Sequence, residues 1–205
     1  MLELAVLGLL HESPLHGYEL RQRLKATLGT FRAFSYGSLY PTLRRMRAAG
    51  WIVEDEGDAE VVAGAPPLTG RRGKVVYKLT ADGKERLAEL LSEAGPSAWE
   101  DETFGVHFAL FGQTAPEVRV RILEGRRTRL EERREGVRAG LARTRSRLDR
   151  YTLQLQEHGL ESVEREVRWL TELIETERRS IRPARPSSTP EKSTPPTPPK
   201  ERGAP

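Results

Sequence analysis

The sequence predicts a mainly α-helical fold with a small two-stranded β-wing. A compact N-terminal unit is joined to a helical C-terminal unit. Three observations predict it. Apolar residues in the first ~90 positions recur at helical spacing, interrupted by two short β-like runs that flank a long loop rich in Gly and Pro. After Pro116 the chain is heavily charged and its apolar residues recur in sevens. From Arg182 onward it is rich in Pro, Ser, Thr and charge, a composition that cannot bury enough apolar surface to offset the entropy of ordering. The expected organisation is therefore an N-terminal domain over residues 1–92, a helical domain over 96–181 and a disordered tail over 182–205.

The dense apolar segment Leu2, Leu4, Ala5, Val6, Leu7, Leu9 and Leu10 reads as a buried helix, stopped at Pro14. A second helix begins near Gly17, with Leu20, Leu24 and Leu28 on its inner edge and Gly29 after it. A third runs from Leu39 to Ala49, with Ser38 at its N-cap, Pro41 in its first turn and Gly50 at its end. Its inner stripe is Leu39, Leu43 and Met46, which places Thr42, Arg44, Arg45 and Arg47 outside. Trp51-Ile52-Val53 and Val75–Leu79 read as paired strands around a loop whose return carries Arg71, Arg72 and Lys74. Thr80 to Gly83 opens a fourth helix with Leu87, Leu90 and Leu91 inside, and Gly95-Pro96 marks the domain boundary.

In the second half, Trp99, Phe104, Phe108 and Phe111 form an aromatic segment. Pro116 opens a long helix expected to reach about His158, where Gly159 breaks it. Leu123, Leu130, Val137 and Tyr151 recur in sevens, as do Leu141, Leu148 and Leu155. Arg127, Arg134 and Thr144 interrupt the seam, and Gly125, Gly136 and Gly140 weaken the helix. Leu160, Val163, Val167, Leu170, Ile174 and Ile181 trace a last amphipathic helix. The dimerisation surface expected from these patterns comprises Leu123, Leu130, Val137, Leu141, Leu148, Leu155, Val163, Val167, Leu170 and Ile174.

Composition narrows the function. The net charge is +4, but residues 16–50 carry seven Lys/Arg and one Glu, whereas residues 51–60 carry five acids and no base. That asymmetry suits a surface with one anion-facing side. The chain has no cysteine, which excludes disulfides and Cys-based zinc sites. No apolar run approaches the ~20 residues a membrane helix needs. The apolar N-terminus lacks a basic n-region and a cleavage motif, so the expected location is the cytoplasm. His11, His16, His107 and His158 are too dispersed for a metal site. No catalytic grouping, phosphate loop or dinucleotide motif is present, so neither an enzyme nor a cofactor is expected.

Two short helices separated by a turn, followed by a β-wing, are the parts of a winged helix-turn-helix, whose second helix presents side chains to the DNA major groove. Hydroxyl and guanidinium groups contact phosphates and base edges, and bidentate Arg–guanine pairing is the commonest specific contact. The candidate DNA-binding residues are Tyr18, Ser35, Tyr36, Ser38, Tyr40, Pro41, Thr42, Arg44, Arg45, Arg47, Arg71, Arg72 and Lys74. The plain alternatives are a solvated arginine face, tyrosines that belong to the core edge, and a basic loop with no target. For Trp99, Phe104, His107, Phe108, Phe111 and Trp169 the plain reading is dimer core, and the functional one is a pocket for a small aromatic effector.

Four segments carry a family resemblance. Leu7-Gly8-Leu9-Leu10, Pro14-Leu15-His16-Gly17-Tyr18-Glu19-Leu20, Gly37-Ser38-Leu39-Tyr40-Pro41-Thr42-Leu43 and Lys74–Gly83, in that order, resemble the PadR family of regulators. The resemblance covers the first ~90 residues. It implies a winged-helix homodimer that represses promoters by binding inverted-repeat DNA, with Tyr18, Ser38, Tyr40, Pro41 and Lys74 on the DNA-facing surface. The expectation is therefore a sequence-specific DNA-binding repressor that an effector releases, with double-stranded DNA and a second copy of itself as partners. The alternative from another class is a winged-helix protein–protein docking module whose basic face meets an acidic partner.

Overall fold

Seven consecutive buried positions, from Leu4 to Leu10, leave the first helix no solvent face. A helix apolar all round must sit at the centre of its domain. The structure, a computed structural model, describes residues 1–29, 36–55 and 75–181. Within these, α1 (Leu2–Glu12) is followed by β1 (Leu15–His16), α2 (Gly17–Leu28), a 3₁₀ turn (Tyr36–Ser38), α3 (Leu39–Ala48), β2 (Ile52–Asp55), β3 (Val76–Leu79) and α4 (Ala81–Ser92). The C-terminal half comprises α5 (Pro96–Trp99), α6 (Phe104–Ala109), a 3₁₀ turn (Phe111–Gln113), α7 (Pro116–Thr144), a 3₁₀ turn (Arg145–Arg147) and α8 (Arg150–Ile181). Ser35, Arg71, Arg72, Lys74 and the Pro-rich tail lie outside the described residues, as does most of the expected wing loop.

Helix α1 packs against α2, α3, β3 and α4. Leu20, Leu24 and Leu28 of α2 turn inward as their spacing predicts. A reciprocal capping box opens α2: the His16 backbone N–H donates to Glu19 Oε2 at 2.9 Å, and the His16 side chain accepts from the Glu19 backbone. Helix α3 ends where Gly50 takes φ +76°, the left-handed conformation that glycine adopts without strain, and the chain turns into β2.

The sheet has three strands rather than the expected two, in the order β1-β3-β2, all antiparallel. The added strand pairs Leu15 with Tyr77 and His16 with Val76. Two residues are too few to show an alternating pattern, and Pro14 restricts only itself and the preceding Ser13, not Leu15 and His16. Antiparallel pairing of β2 and β3 runs from Ile52↔Leu79 to Asp55↔Val76, and Lys78 pairs with Asp55 across it.

Thr80 ties the sheet to α4. Its hydroxyl oxygen accepts from the Gly83 N–H at 3.0 Å and its hydroxyl donates to the Gly50 carbonyl at 2.6 Å. Thr80→Ala should therefore lower unfolding free energy by about 1 kcal/mol, the usual loss for an N-cap, measurable by urea denaturation. Arg86 fastens α4 to α1 through Glu3 at 3.1 Å and lies over the Trp51 ring at 5.4 Å.

In the C-terminal half, α7 and α8 fold back on each other as a hairpin. Ile122, Leu123 and Leu130 of α7 meet Val167, Leu170 and Ile174 of α8 in one core with Ala98, Phe104 and Val118. Each large apolar side chain fully buried there contributes about 1.5–3 kcal/mol. The helix break differs from the expectation. It falls over residues 145–149, and α8 runs unbroken through Gly159. Asp149 sets the new start by accepting the N–H groups of Tyr151 at 2.9 Å and Thr152 at 3.1 Å. Gly159 is exposed with nothing near it, so it costs α8 only glycine's intrinsic penalty, about 1 kcal/mol.

Two features hold the junction between α5 and the hairpin. A Cβ on Gly125 would lie 2.3 Å from Trp99 Cε3, so this glycine is the seat of the Trp99 ring rather than a weak point in α7. Arg126, 7% exposed, donates to Glu166 Oε1 at 2.9 and 3.0 Å and to the Trp99 carbonyl at 3.2 Å, and pairs with Asp101. Its guanidinium also lies 5.2 Å from the Phe104 ring centre. A charge this buried persists because its donors are satisfied.

Candidate nucleic-acid interface

The outer face of α3 is set by its inner one. Leu39, Thr42, Leu43 and Met46 stand at i, i+3, i+4 and i+7 and are buried, which leaves Tyr40, Pro41, Arg44, Arg45 and Arg47 exposed. Thr42, expected outside, is thus corrected to the inside at 3% exposure. Its hydroxyl accepts a hydrogen bond from Arg45 at 3.2 Å, so it orients an arginine instead of offering itself. Ser38 is exposed at the N-cap position of α3, and Tyr36 enters the 3₁₀ turn that precedes it.

Tyr18, at the start of α2, and Tyr40 are 39% and 49% exposed. Tyr40 packs beside the N-terminus of α2: a Cβ on the buried Gly17 would stand in ordinary contact, 3.5 Å from a Tyr40 ring carbon and 3.5 Å from a Tyr77 ring carbon. Gln22, one turn after Tyr18 on the exposed side of α2, donates to the Tyr18 hydroxyl at 2.7 Å. Sequence reading missed Gln22, although its i+4 spacing from Tyr18 was a usable signal.

The three arginines of α3 are not equivalent. Arg47 donates to Glu54 Oε2 of β2 at 2.5 Å, which partly neutralises it. Arg44 is exposed and makes no ion pair among the described residues. Beside Arg47, burial and then the Glu54 and Tyr40 charges raise the Tyr77 hydroxyl pKa above its ordinary value, with Arg47 opposing them. The arrangement therefore presents two tyrosines, Arg44 and Arg45 outward, and holds Arg47 against the sheet. Among the described residues no group of acidic and His side chains could hold a metal ion, and no helix is long and apolar enough to cross a membrane.

Residues 6–89 match the family model described as the transcriptional regulator PadR-like family. Over these residues the chain is similar to that family. The matched segment holds the whole of α2, α3 and the three strands, and with them every described candidate DNA-binding residue. A curated relative, the negative transcriptional regulator PadR of Bacillus subtilis (strain 168), is 29% identical over 96 residues, which are 47% of this chain and 48% of the relative. The chain thus spans about half the length of the curated relative it matches. Among solved structures, Bacillus subtilis PadR in complex with operator DNA is 20% identical with a TM-score of 0.39, covering 86% of this chain and 98% of that one. The same protein in complex with p-coumaric acid gives 19%, 0.39, 86% and 98%. A PadR-like transcriptional regulator from Bacillus cereus gives 20%, 0.38, 88% and 99%.

Beyond the matched residues 6–89, the residues proposed for an effector separate into three groups. Phe104, Phe108, Phe111 and Trp169 join in one cluster, with ring centres 5.0–6.4 Å apart. Trp99 lies on Gly125. His107 is 2% exposed and its Nε2 has no hydrogen-bond partner. Surface clefts of about 410 and 470 Å³ are lined by other residues, the first around Asp101 and Arg133 and the second around Leu87 and Gln113. The proposed dimer residues also divide. Leu123, Leu130, Val167, Leu170 and Ile174 are buried inside the hairpin, Val137, Leu141, Leu148 and Val163 are half-buried, and Leu155 is exposed.

Burial, and then the positive charge of the Met1 amino group, lower the His107 pKa from 6.5 to about 4. The folded state therefore refuses a proton that the unfolded chain accepts. Above pH 6.5 both states are neutral and stability is unaffected. As pH falls from 6.5 to 4 stability declines, by about 3 kcal/mol at most. Urea midpoints measured between pH 7.5 and 4.5 should show the decline, and His107→Phe should remove part of it.

Proposed function

We propose that this chain is a sequence-specific DNA-binding transcriptional regulator. In this reading it is a homodimer that represses promoters bearing an inverted-repeat operator and is released by an effector. The observation that carries the reading is the exposed face of α3, where Tyr40, Arg44 and Arg45 stand clear of the core beside Tyr18 of α2. In a helix-turn-helix this face enters the major groove while the first helix crosses the backbone. The description of the matching family and the name of the curated relative support the same reading. Two copies would place their α3 helices in successive major grooves, about one DNA turn apart. The effector would be a small aromatic molecule held near the cluster of Phe104, Phe108, Phe111 and Trp169.

The test is a gel shift with DNA from the chain's own upstream region across a salt series. Affinity should fall log-linearly with salt, with a slope of about −0.9 for each phosphate neutralised. Absent or salt-insensitive binding to every fragment overturns the proposal.

A further inference from the structure

Tyr40, Arg44 and Arg47 follow one another in α3 at i, i+4 and i+7, so they form one outward stripe within about 60° around the helix. At the end of that stripe Arg47 already holds an anion, Glu54 Oε2 of β2 at 2.5 Å. Glu54 stands directly opposite Tyr77 in the sheet, so both side chains leave it on one face, the face on which Tyr77 and Tyr40 approach Gly17. Asp55, next along the strand, points the other way and pairs with Lys78. Among the described residues no other carboxylate pairs with an arginine of α3. The Arg47 and Glu54 side chains are 51% and 31% exposed. An ion pair this open to water is weak, because solvent screens it and two long side chains must be held still to make it. A DNA phosphate competes well for the same guanidinium, since it offers two oxygens that arginine meets bidentately.

We infer that Glu54 is a resident substitute for a DNA phosphate: it occupies Arg47 in the free protein, must release it when a duplex docks, and so holds down the sequence-independent part of DNA affinity. This rests on the DNA-binding reading above and adds a residue that opposes binding. With Glu54 beside it, Arg47 brings the duplex almost no net positive charge, and binding releases about one counterion fewer than it otherwise would. The term reduced in this way is common to every DNA sequence. Base contacts from Arg44 and Arg45 therefore make up a larger share of the affinity that remains.

The test is fluorescence anisotropy of the full chain with a short labelled duplex of unrelated sequence, across a salt series. Glu54→Gln keeps the shape of the side chain and its hydrogen-bond acceptor but removes the charge. It should bind the duplex about fivefold more tightly in about 0.1 M salt, with a log–log salt slope steeper by about 0.9. Glu54→Ala should show the same gain in affinity, even where losing the tie to β2 lowers its thermal midpoint. Arg47→Ala should change little in the wild-type background and should remove most of the gain in the Glu54→Gln background, a non-additivity that a double-mutant cycle reads directly. A Glu54→Gln variant whose affinity and slope are unchanged or reduced overturns the inference, assigns Glu54 to fastening α3 to β2 and leaves DNA binding standing. A gain that persists in full when Arg47 is alanine also overturns it, because the carboxylate then acts only by repelling the duplex. No binding by the wild type or any variant overturns the DNA-binding reading and this inference with it.

Discussion

Replacing Arg44 and Arg45 together by alanine should abolish recognition of the operator while leaving the fold and the assembly state unchanged. Both side chains are exposed, and the one contact either makes with the inner face of α3 is the Arg45 hydrogen bond to the Thr42 hydroxyl, which leaves the apolar stripe of Leu39, Leu43 and Met46 intact. A bidentate arginine–guanine contact is worth about 1–3 kcal/mol of discrimination, so two of them amount to roughly 2–6 kcal/mol, or 30-fold to more than 10⁴-fold in affinity. Arg47→Ala should cost less, because Glu54 already partly neutralises that guanidinium. Binding isotherms on operator and on unrelated DNA separate the roles. Base-reading arginines lose the difference between the two DNAs, whereas phosphate-neutralising ones lose both and lower the salt slope by about 1 each. A double variant with unchanged operator affinity would remove α3 from the interface and favour docking to an acidic protein.

Gly83→Ala should be the most damaging single methyl in the N-terminal unit. A Cβ there would stand 2.1 Å from the Trp51 carbonyl oxygen and 2.8 Å from a Leu79 methyl. The first is backbone, and it is fixed because the same carbonyl accepts the Thr80 N–H at 3.1 Å. Relief requires α4 to move off the sheet, which would also break the Thr80 cap and strain the Arg86–Glu3 link to α1. The loss should be about 3 kcal/mol, the upper end for overpacking, against the roughly 1 kcal/mol gain alanine gives at an open helical site. Thermal unfolding of the variant beside Gly159→Ala, an open site in α8, measures both signs in one protein.

Much of this was legible in the sequence because the relevant signals are local. The inner stripe of α3, the Thr80 cap and the turn at Gly50 follow from residue type and spacing. The misses share a physical cause, namely that the deciding interaction is not local. Thr42 reads as polar until a core closes over it. Arg126 sits in a charged run, and only Glu166, forty residues on, and Asp101 reveal why it is buried. Gly125 looks like a weakness until Trp99 is seen to occupy the space it leaves. Heptad spacing identified Leu123 and Leu130 as contact residues, and the amphipathic pattern of the last helix identified Val167 and Leu170, but neither pattern says whether the facing helix belongs to the same chain. Here the turn at Asp149 lets the chain supply its own partner helix.

The short helix α6 carries a mechanical consequence. Val106 and Leu110, at its end, are built into the core around α1, where Leu110 fills the space above Gly8. Phe104 and Phe108 of the same turn and a half are built into the core of the hairpin. One rigid element is therefore shared by both cores, and it acts as a fulcrum rather than a tether. The arm beyond it, α7, is about 44 Å long. With such leverage, a tilt of a few degrees at α6 sweeps the far end of the hairpin through several ångströms, and a small displacement imposed there returns to α1 as torque.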